Sequence, residues 1–487
     1  MRGSPRLTTL TWYKSHRLDA MKTFLKKLGG FSLGPLLSAL LGLILVPVIT
    51  RFISPEEYGK AGMFTLAQGL CAMILYLGLD QAYAREFMKK DVSGNQLLSN
   101  VMLLPLLLSA VLAAGLVVFR RQVSLLLFST ADEGVAICLM ALMFPFMVIQ
   151  HFGLMKVRLE EKGLQYSLFS VMLKVWNLLL AVSLLVIFEK SFRSVVYAAA
   201  FAEIINGVLL YLVAFRGVAL SPKKVCRTQL SSLLRYALPL VPATLLSWML
   251  TSMDKVMLRT LCSYTDLGLY TAAFKIVSVL GIVQTCFTTM WVPIAFRWYE
   301  EKKADGYFVA VMKGIAGLMS LMCFGVLLFK DVLVLILGSE FGEAVQIFPF
   351  LMLYPILYTM SETTAMGIAF TRRTEFNIVV SLLSGGANLL LNLLLIPRWG
   401  GVGAAVATGV SYIVFFCVRT VISRRLWIRF PVGQFAVYLV LILVNCAAHT
   451  ELTGVLPYAV SGASILLTLL LNIPFAKEAL QLLREMK

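Results

Sequence analysis

Histidine is almost missing from this 487-residue chain, and what reactive chemistry it has is scattered. The three histidines, His16, His151 and His449, lie far apart and share no motif. Eight cysteines occur without any C-x-x-C spacing, so neither a disulfide framework nor a zinc site is implied. No H-E-x-x-H, phosphate-cradling glycine loop or nucleophile elbow is present, and nothing suggests that the chain hydrolyses ATP. Charged residues make up only 14%. Long polar connections are lacking as well. The longest outer connection, about 120–133, is too short to carry the catalytic loop of a membrane-embedded polymerase or acyltransferase. An enzyme is therefore not expected.

What fills the chain instead is apolar. Hydrophobic residues reach 59% and mean hydropathy is +0.86, which excludes a soluble globule. The apolar residues form about fourteen continuous runs of about twenty residues, the length that crosses a hydrocarbon core as a helix. Continuous runs rather than short alternating ones rule out a β-barrel. The expected fold is all-α and integral to the membrane. The spans are placed at 29–50, 61–83, 97–119, 134–155, 164–188, 194–215, 235–254, 268–291, 308–329, 343–365, 377–397, 402–422, 432–449 and 454–474. Lys and Arg in alternate connections number about thirty in one set against about ten in the other, a strong positive-inside bias. That bias places both termini in the cytoplasm. The net charge of +18 is spread over many connections rather than gathered on one face, so it serves topology and anionic headgroups, not nucleic acid.

Residues 1–20 are polar and basic without an apolar core, so they do not read as a cleavable signal peptide. Met21 opens a run that reads better as a beginning than Met1 does. Beyond this tail the sequence repeats weakly. Arg51, Glu57 and Gly59 after the first span correspond to Arg259, Asp266 and Gly268 after the seventh. Asn177-Leu-Leu-Leu matches Asn388-Leu-Leu-Leu, and the alanine run at 198–202 matches that at 404–407; the offsets are 209, 211 and 206. A six-span offset preserves orientation, which implies two six-helix lobes related by a parallel pseudo-twofold around a central cationic cavity. The expected organisation is a cytoplasmic tail (1–28), an N-lobe (29–215), a cytoplasmic linker (216–234), a C-lobe (235–422), and two further spans with a C-terminal tail (423–487).

The segments P-V-I-T-R-F-I-S-P-E-E-Y-G (47–59) and L-G-L-D-Q-A-Y-A-R (77–85) resemble the opening of bacterial polysaccharide-repeat flippases of the Wzx type. These belong to the multidrug/oligosaccharidyl-lipid/polysaccharide exporter superfamily. D-K-V-M-L (254–258), L-G-L-Y-T-A-A-F-K (267–275), W-V-P (291–293) and G-V-G-A-A-V-A-T (401–408) look like that family's later segments. The resemblance covers residues 22–425, and its motifs are topological rather than catalytic. It implies translocation of undecaprenyl-pyrophosphate-linked oligosaccharide from the inner to the outer leaflet of the bacterial cytoplasmic membrane by alternating access. It also implies a place beside a polysaccharide polymerase and glycosyltransferases, and no bound cofactor. The alternatives are a peptidoglycan lipid-precursor flippase, disfavoured because no arginine lies between Lys27 and Arg51, and a cation-coupled multidrug exporter, where midspan carboxylates would dominate over lysines.

Charges inside spans are costly and face a cavity or a partner. Lys174 sits at mid-depth between apolar turns, either paired with Glu203 for packing or offering a point charge to a pyrophosphate. Lys275 either faces the cavity or snorkels. Glu203 is a partner for Lys174 or a carboxylate coupling transport to a proton or sodium gradient. Arg85 and Asp80 end the second span, Arg85 to meet lipid headgroups or the entering substrate and Asp80 as a charge partner; Asp254, Lys255 and Arg259 end the seventh, where an outer ion cluster is expected and Arg259 is a further substrate-binding candidate. Lys313 reads as a snorkelling anchor. Trp291, Trp298, Tyr299, Trp399 and Trp427 read as interfacial belt residues. Prolines and glycines imply bends in spans 1, 7, 10 and 11.

Overall fold

The computed structural model describes residues 33–87, 94–216, 226–373, 375–430 and 432–485. The tail at 1–28, with its two candidate starts, lies outside the described residues, as do residues 217–225 of the 216–234 connection. Every described element is helical, and the chain is a multi-pass membrane protein. Among the described residues eleven helices are long and apolar enough to cross a membrane, or twelve if one bent pair is a single span. As far as its residues are described, each apolar run expected from the sequence falls on one helix or on two in succession.

Contacts divide the chain into two compact units, Met1–Leu45 with Met63–Trp248, and Val46–Gly62 with Met249–Lys487. The first contains most of α1 (Leu33–Thr50) and α2 (Pro55–Tyr76), then α3 (Leu79–Phe87), α4 (Gly94–Val118), α5 (Arg120–Phe128), α6 (Gly134–Leu159), α7 (Gly163–Ile187), α8 (Phe192–Ala214) and α9 (Arg227–Ala237), and the start of α10 (Leu240–Leu261). Its centre is α6 packed on α4 and α8, with α7 against α8. Ala198, Ala200 and Ala202 of α8 are fully buried. A Cβ on Gly207 would meet Phe146 at 2.9 Å, and one on Gly153 would meet Leu210 at 2.7 Å. Small residues let membrane helices approach closely, where dispersion rather than water exclusion holds them.

α2 and α3 form the bent pair, at 49° to each other. The break falls at Leu77 (φ 51°) and Gly78 (φ 68°), two successive left-handed residues. Neither proline nor the sequence's bend pattern pointed there. A Cβ on Gly78 would lie 3.0 Å from the Ala237 carbonyl, so glycine answers both the dihedral and the close approach. α9 is docked beneath through Asn100, whose Oδ1 accepts the Cys226 N–H at 2.9 Å and whose amide donates to Gln229.

The second unit holds the rest of α10, α11 (Tyr264–Val277), α12 (Leu280–Glu300), α13 (Asp305–Leu328), α14 (Lys330–Leu337), α15 (Ala344–Leu351), α16 (Leu353–Thr364), α17 (Met366–Phe370), α18 (Phe376–Leu426), α19 (Gly433–Glu451) and α20 (Leu456–Glu485). At 51 residues α18 has length for two crossings, and it turns at Gly400 (φ 53°, ψ −129°). The repeated motif is a helix-start device. Ser54 Oγ accepts from Glu57 N at 3.4 Å, and Ser263 Oγ accepts from Asp266 N at 3.1 Å, both in the S-x-x-acid pattern of a capping box. A Cβ on Gly59 would collide with the Tyr264 carbonyl at 2.1 Å, and one on Gly268 with the Pro55 carbonyl at 1.8 Å. The contact is reciprocal, each glycine meeting a carbonyl at the start of the other's helix. Asp266 also accepts from Gly401 N at 3.3 Å, pinning the α18 turn.

Trp291 departs from the belt reading. It is 3% exposed and lies in an aromatic knot with Phe287, Trp298 and Phe308, which Trp427 joins through Phe308 and Phe370. Ring packing between helix ends outcompetes an interfacial position there.

Candidate functional site

In the second unit Asp254 of α10 is buried at 6% exposure. Its Oδ2 accepts from Tyr270 Oη at 2.6 Å and Thr408 Oγ1 at 2.6 Å, and its Oδ1 from Asn392 Nδ2 at 2.5 Å. Asn392 Nδ2 also donates to Asn388 Oδ1 at 3.0 Å. The buried Asn392 Oδ1 has no hydrogen-bond partner. A buried carboxylate is tolerated only when hydrogen-bonded, and here α11 and both sides of the α18 turn supply neutral donors. The cluster presents carboxylate, amide and hydroxyl oxygens together, the donor set that suits a proton or a hard cation. Asn388 and Asn392, four apart on one helix face, are a signal in the sequence that could have pointed to it.

A strip of rings leaves this cluster, starting from the buried Tyr270 and continuing through part-buried ones. Tyr270 stacks on Phe274 (6.2 Å), Phe274 on Tyr354 (6.1 Å, 6°), and Tyr354 meets Tyr412 at 4.8 Å. Tyr412 continues to Phe415 at 5.7 Å, and Phe415 stacks on Tyr358 at 5.5 Å. Cations sit at both ends. Lys255 Nζ is 5.0 Å from the Phe274 ring, and the Arg419 guanidinium is 5.3 Å from Phe415 while donating to Glu362 at 2.7 Å. Lys275 is exposed beside Phe274 and close enough for its charge to repel that of Lys255. Arg259 lies apart from this strip, 4.4 Å over the Tyr264 ring. The strip was missed in the sequence, although Tyr354/Tyr358 and Tyr412/Phe415/Arg419 have helical spacing.

In the first unit Lys174 and Glu203 lie near the middles of α7 and α8. The Lys174 charge acts on the Glu203 carboxylate, but the hydrogen bond to Glu203 Oε1 comes from Gln68 Nε2 of α2 at 3.2 Å. Asp80 of α3 lies 3.7 Å from His151 Nε2 of α6, and that ring stacks on Tyr76 at 3.8 Å and 9°. His151 had looked isolated in sequence; folding brings it to the α2–α3 break. Arg85 ends α3 with its guanidinium 4.6 Å over Tyr236 of α9.

Residues 24–299 match the polysaccharide biosynthesis protein family. The chain belongs to that family. A protein of Haloferax volcanii, named as a probable low-salt glycan biosynthesis flippase, is 24% identical over 212 residues, 43% of this chain and 44% of its own length. The chain thus matches less than half of that relative. The fold is shared with a lipid II flippase in an inward closed conformation, at TM-score 0.71 and 12% identity over 92% of this chain and 99% of that one. It is also shared with an inward-facing multidrug-resistance MATE family transporter of the MOP superfamily, at TM-score 0.61 and 15% identity, covering 79% of this chain and 93% of that one. These relatives are transporters and flippases, not enzymes, and this chain has their membrane-transporter fold.

Proposed function

We propose that the protein is a flippase that carries undecaprenyl-pyrophosphate-linked oligosaccharide from the cytoplasmic to the outer leaflet for cell-surface polysaccharide assembly. The observation that carries this reading is the strip from Lys255 through Phe274, Tyr354, Tyr412 and Phe415 to Arg419. Part-buried rings in series, with the Lys255 cation at one end and the Arg419–Glu362 pair at the other, suit an elongated ligand with sugar faces to stack and, at Lys255, phosphate to neutralise. In the other unit, Lys174 supplies a further midspan cation. Membership of the polysaccharide biosynthesis family and the glycan-flippase name of the Haloferax relative support the same substrate class.

The energetics favour secondary transport. An inside-negative potential supplies about 2.3 kcal/mol per charge per 100 mV, which drives an anionic headgroup outward. The emptied cationic site then returns inward along the same field. A proton or sodium ion taken up at Asp254 or Glu203 on the outward-facing protein and released inside would add its own gradient to the drive. The test is a proteoliposome assay with a fluorescent undecaprenyl-pyrophosphate oligosaccharide and an imposed potential. Movement that follows the potential without ATP supports the scheme. Movement of a labelled organic cation, with none of the lipid-linked sugar, favours the multidrug reading and overturns it.

Orientation is part of the proposal, with both termini cytoplasmic. Cys226 is a native probe: the Thr228 hydroxyl and the Gln229 backbone N–H hold its thiol pKa below the ordinary value, which favours the reactive thiolate. A membrane-impermeant maleimide should label it only after the cells are opened. Labelling of Cys226 in intact spheroplasts would reverse the topology.

A further inference from the structure

A groove of about 490 Å³ lies where the end of α18 meets the start of α19, lined by Phe416, Val421, Phe435 and Leu439 with Arg424, Arg425 and Arg429. We propose that it binds the headgroup of an anionic glycerophospholipid. This site is independent of the flippase reading. Positions 416, 417, 420, 421 and 424 face the groove, whereas Tyr412, Phe415 and Arg419 on the opposite helix face form the aromatic strip.

Charge argues for the occupant. Arg419, one turn earlier, is already neutralised by Glu362 at 2.7 Å. Among the described residues no acid lines the groove. Arg424 Nε donates to the Phe430 carbonyl at 2.9 Å, which folds the short connection back and fixes the rim. Arg425 and Arg429 are exposed on that rim. Guanidinium forks hold a phosphodiester by paired hydrogen bonds, which a single lysine does not reproduce. The groove sits at the end of one apolar span and the beginning of the next, the depth of lipid headgroups. Its apolar wall would take the glycerol and the first acyl carbons. About 490 Å³ is room for that much, and too little for a lipid-linked oligosaccharide. On the positive-inside reading this is the anionic, cytoplasmic leaflet.

The experiment uses the full chain in nanodiscs of phosphatidylcholine, with and without phosphatidylglycerol, reading thermal unfolding and lipid retained in native mass spectrometry. Phosphatidylglycerol should raise the Tm of the wild type and remain bound. Arg425→Gln/Arg429→Gln should lose about ten-fold in retention while unfolding normally in phosphatidylcholine. The control Arg372→Gln/Arg373→Gln, another exposed pair in a connection, should keep both responses. Equal loss in the two double variants means diffuse charge attraction and overturns the site. A shift of the same size with inorganic phosphate alone removes the lipid, and displacement by undecaprenyl pyrophosphate assigns the groove to the transported substrate; either result sinks the proposal. Should the double variant fail to fold, Arg425→Lys/Arg429→Lys and a phosphatidylglycerol titration of the wild type decide. Saturable retention weakened by lysine supports the forked contact, and non-saturable uptake refutes it.

Discussion

Asp254 and Glu203 both place a carboxylate among apolar helices, and the protein treats them differently. Asp254 receives two hydroxyls and an amide, all neutral, from α11 and from both sides of the α18 turn. Glu203 receives one amide, from Gln68, and the through-space field of Lys174. A carboxylate with several fixed donors holds its neighbours in register and has oxygens beside it to share a cation. A carboxylate with one donor and a nearby charge can exchange partners at small cost. The first is the more rigid arrangement, the second the more movable one.

The largest expected effect comes from emptying the rigid site. Asp254→Ala strands the Tyr270 and Thr408 hydroxyls and the Asn392 amide, each costing about 1–3 kcal/mol when buried without a partner. The Tm in detergent should fall sharply and flipping should cease. Asp254→Asn retains one acceptor oxygen, so it should fold better yet lose the response to an imposed ion gradient. An Asp254→Asn protein with undiminished gradient response would reduce the cluster to a structural joint.

Lys174 probes the other side of the comparison. Lys174→Ala removes a charge from mid-membrane and leaves Glu203 its Gln68 hydrogen bond, so protein level in the membrane should stay near normal while polysaccharide export is lost. Lys174→Arg should keep part of the export. Normal export by Lys174→Ala breaks the phosphate reading, and disappearance of both variants from the membrane makes the lysine a packing element.

The sequence exposed these two regions unevenly. Lys174 and Glu203 stood out because a single charge in a twenty-residue apolar run needs a reason. Asp254 was visible, but at a span end it suggested an ion cluster with Arg259. Its neutral partners come from residues 270, 392 and 408, pairings that only the folded chain creates. Gln68 and His151 were silent for the same cause. The spans themselves were legible because hydrocarbon thickness dictates run length, and the glycine joint was legible because Ser54/Glu57/Gly59 and Ser263/Asp266/Gly268 repeat one local device. The α2–α3 break was not, since its cause is a close approach to Ala237 far along the chain.

A smaller effect is expected along the strip. Tyr354→Ala and Phe415→Ala each remove one stacking face from a part-buried position, and aromatic contacts of this kind are worth about 0.5–1.5 kcal/mol. The apparent affinity for the lipid-linked sugar should weaken about three- to ten-fold, with the maximal rate nearly kept. Binding of undecaprenyl pyrophosphate without sugar should be unaffected. Equal weakening for both ligands would mean that the rings shape the protein rather than the sugar contact.

Glu203→Gln should show the smallest change and the most discriminating one. Glutamine fills the same volume and still offers Gln68 an acceptor oxygen, so folding and substrate binding should be close to wild type. Only the charge and the ability to take a proton are lost. If Glu203 exchanges protons during the return step, the flipping rate slows and its dependence on pH flattens. If Glu203 merely restrains Lys174, pH dependence is unchanged, and Lys174→Ala/Glu203→Gln behaves like Lys174→Ala alone, because the restrained partner is gone. Measuring the rate across pH in proteoliposomes for the single and double variants separates the two. A Glu203→Gln profile superimposable on wild type would leave Asp254 as the remaining carboxylate among those proposed here to couple transport to an ion.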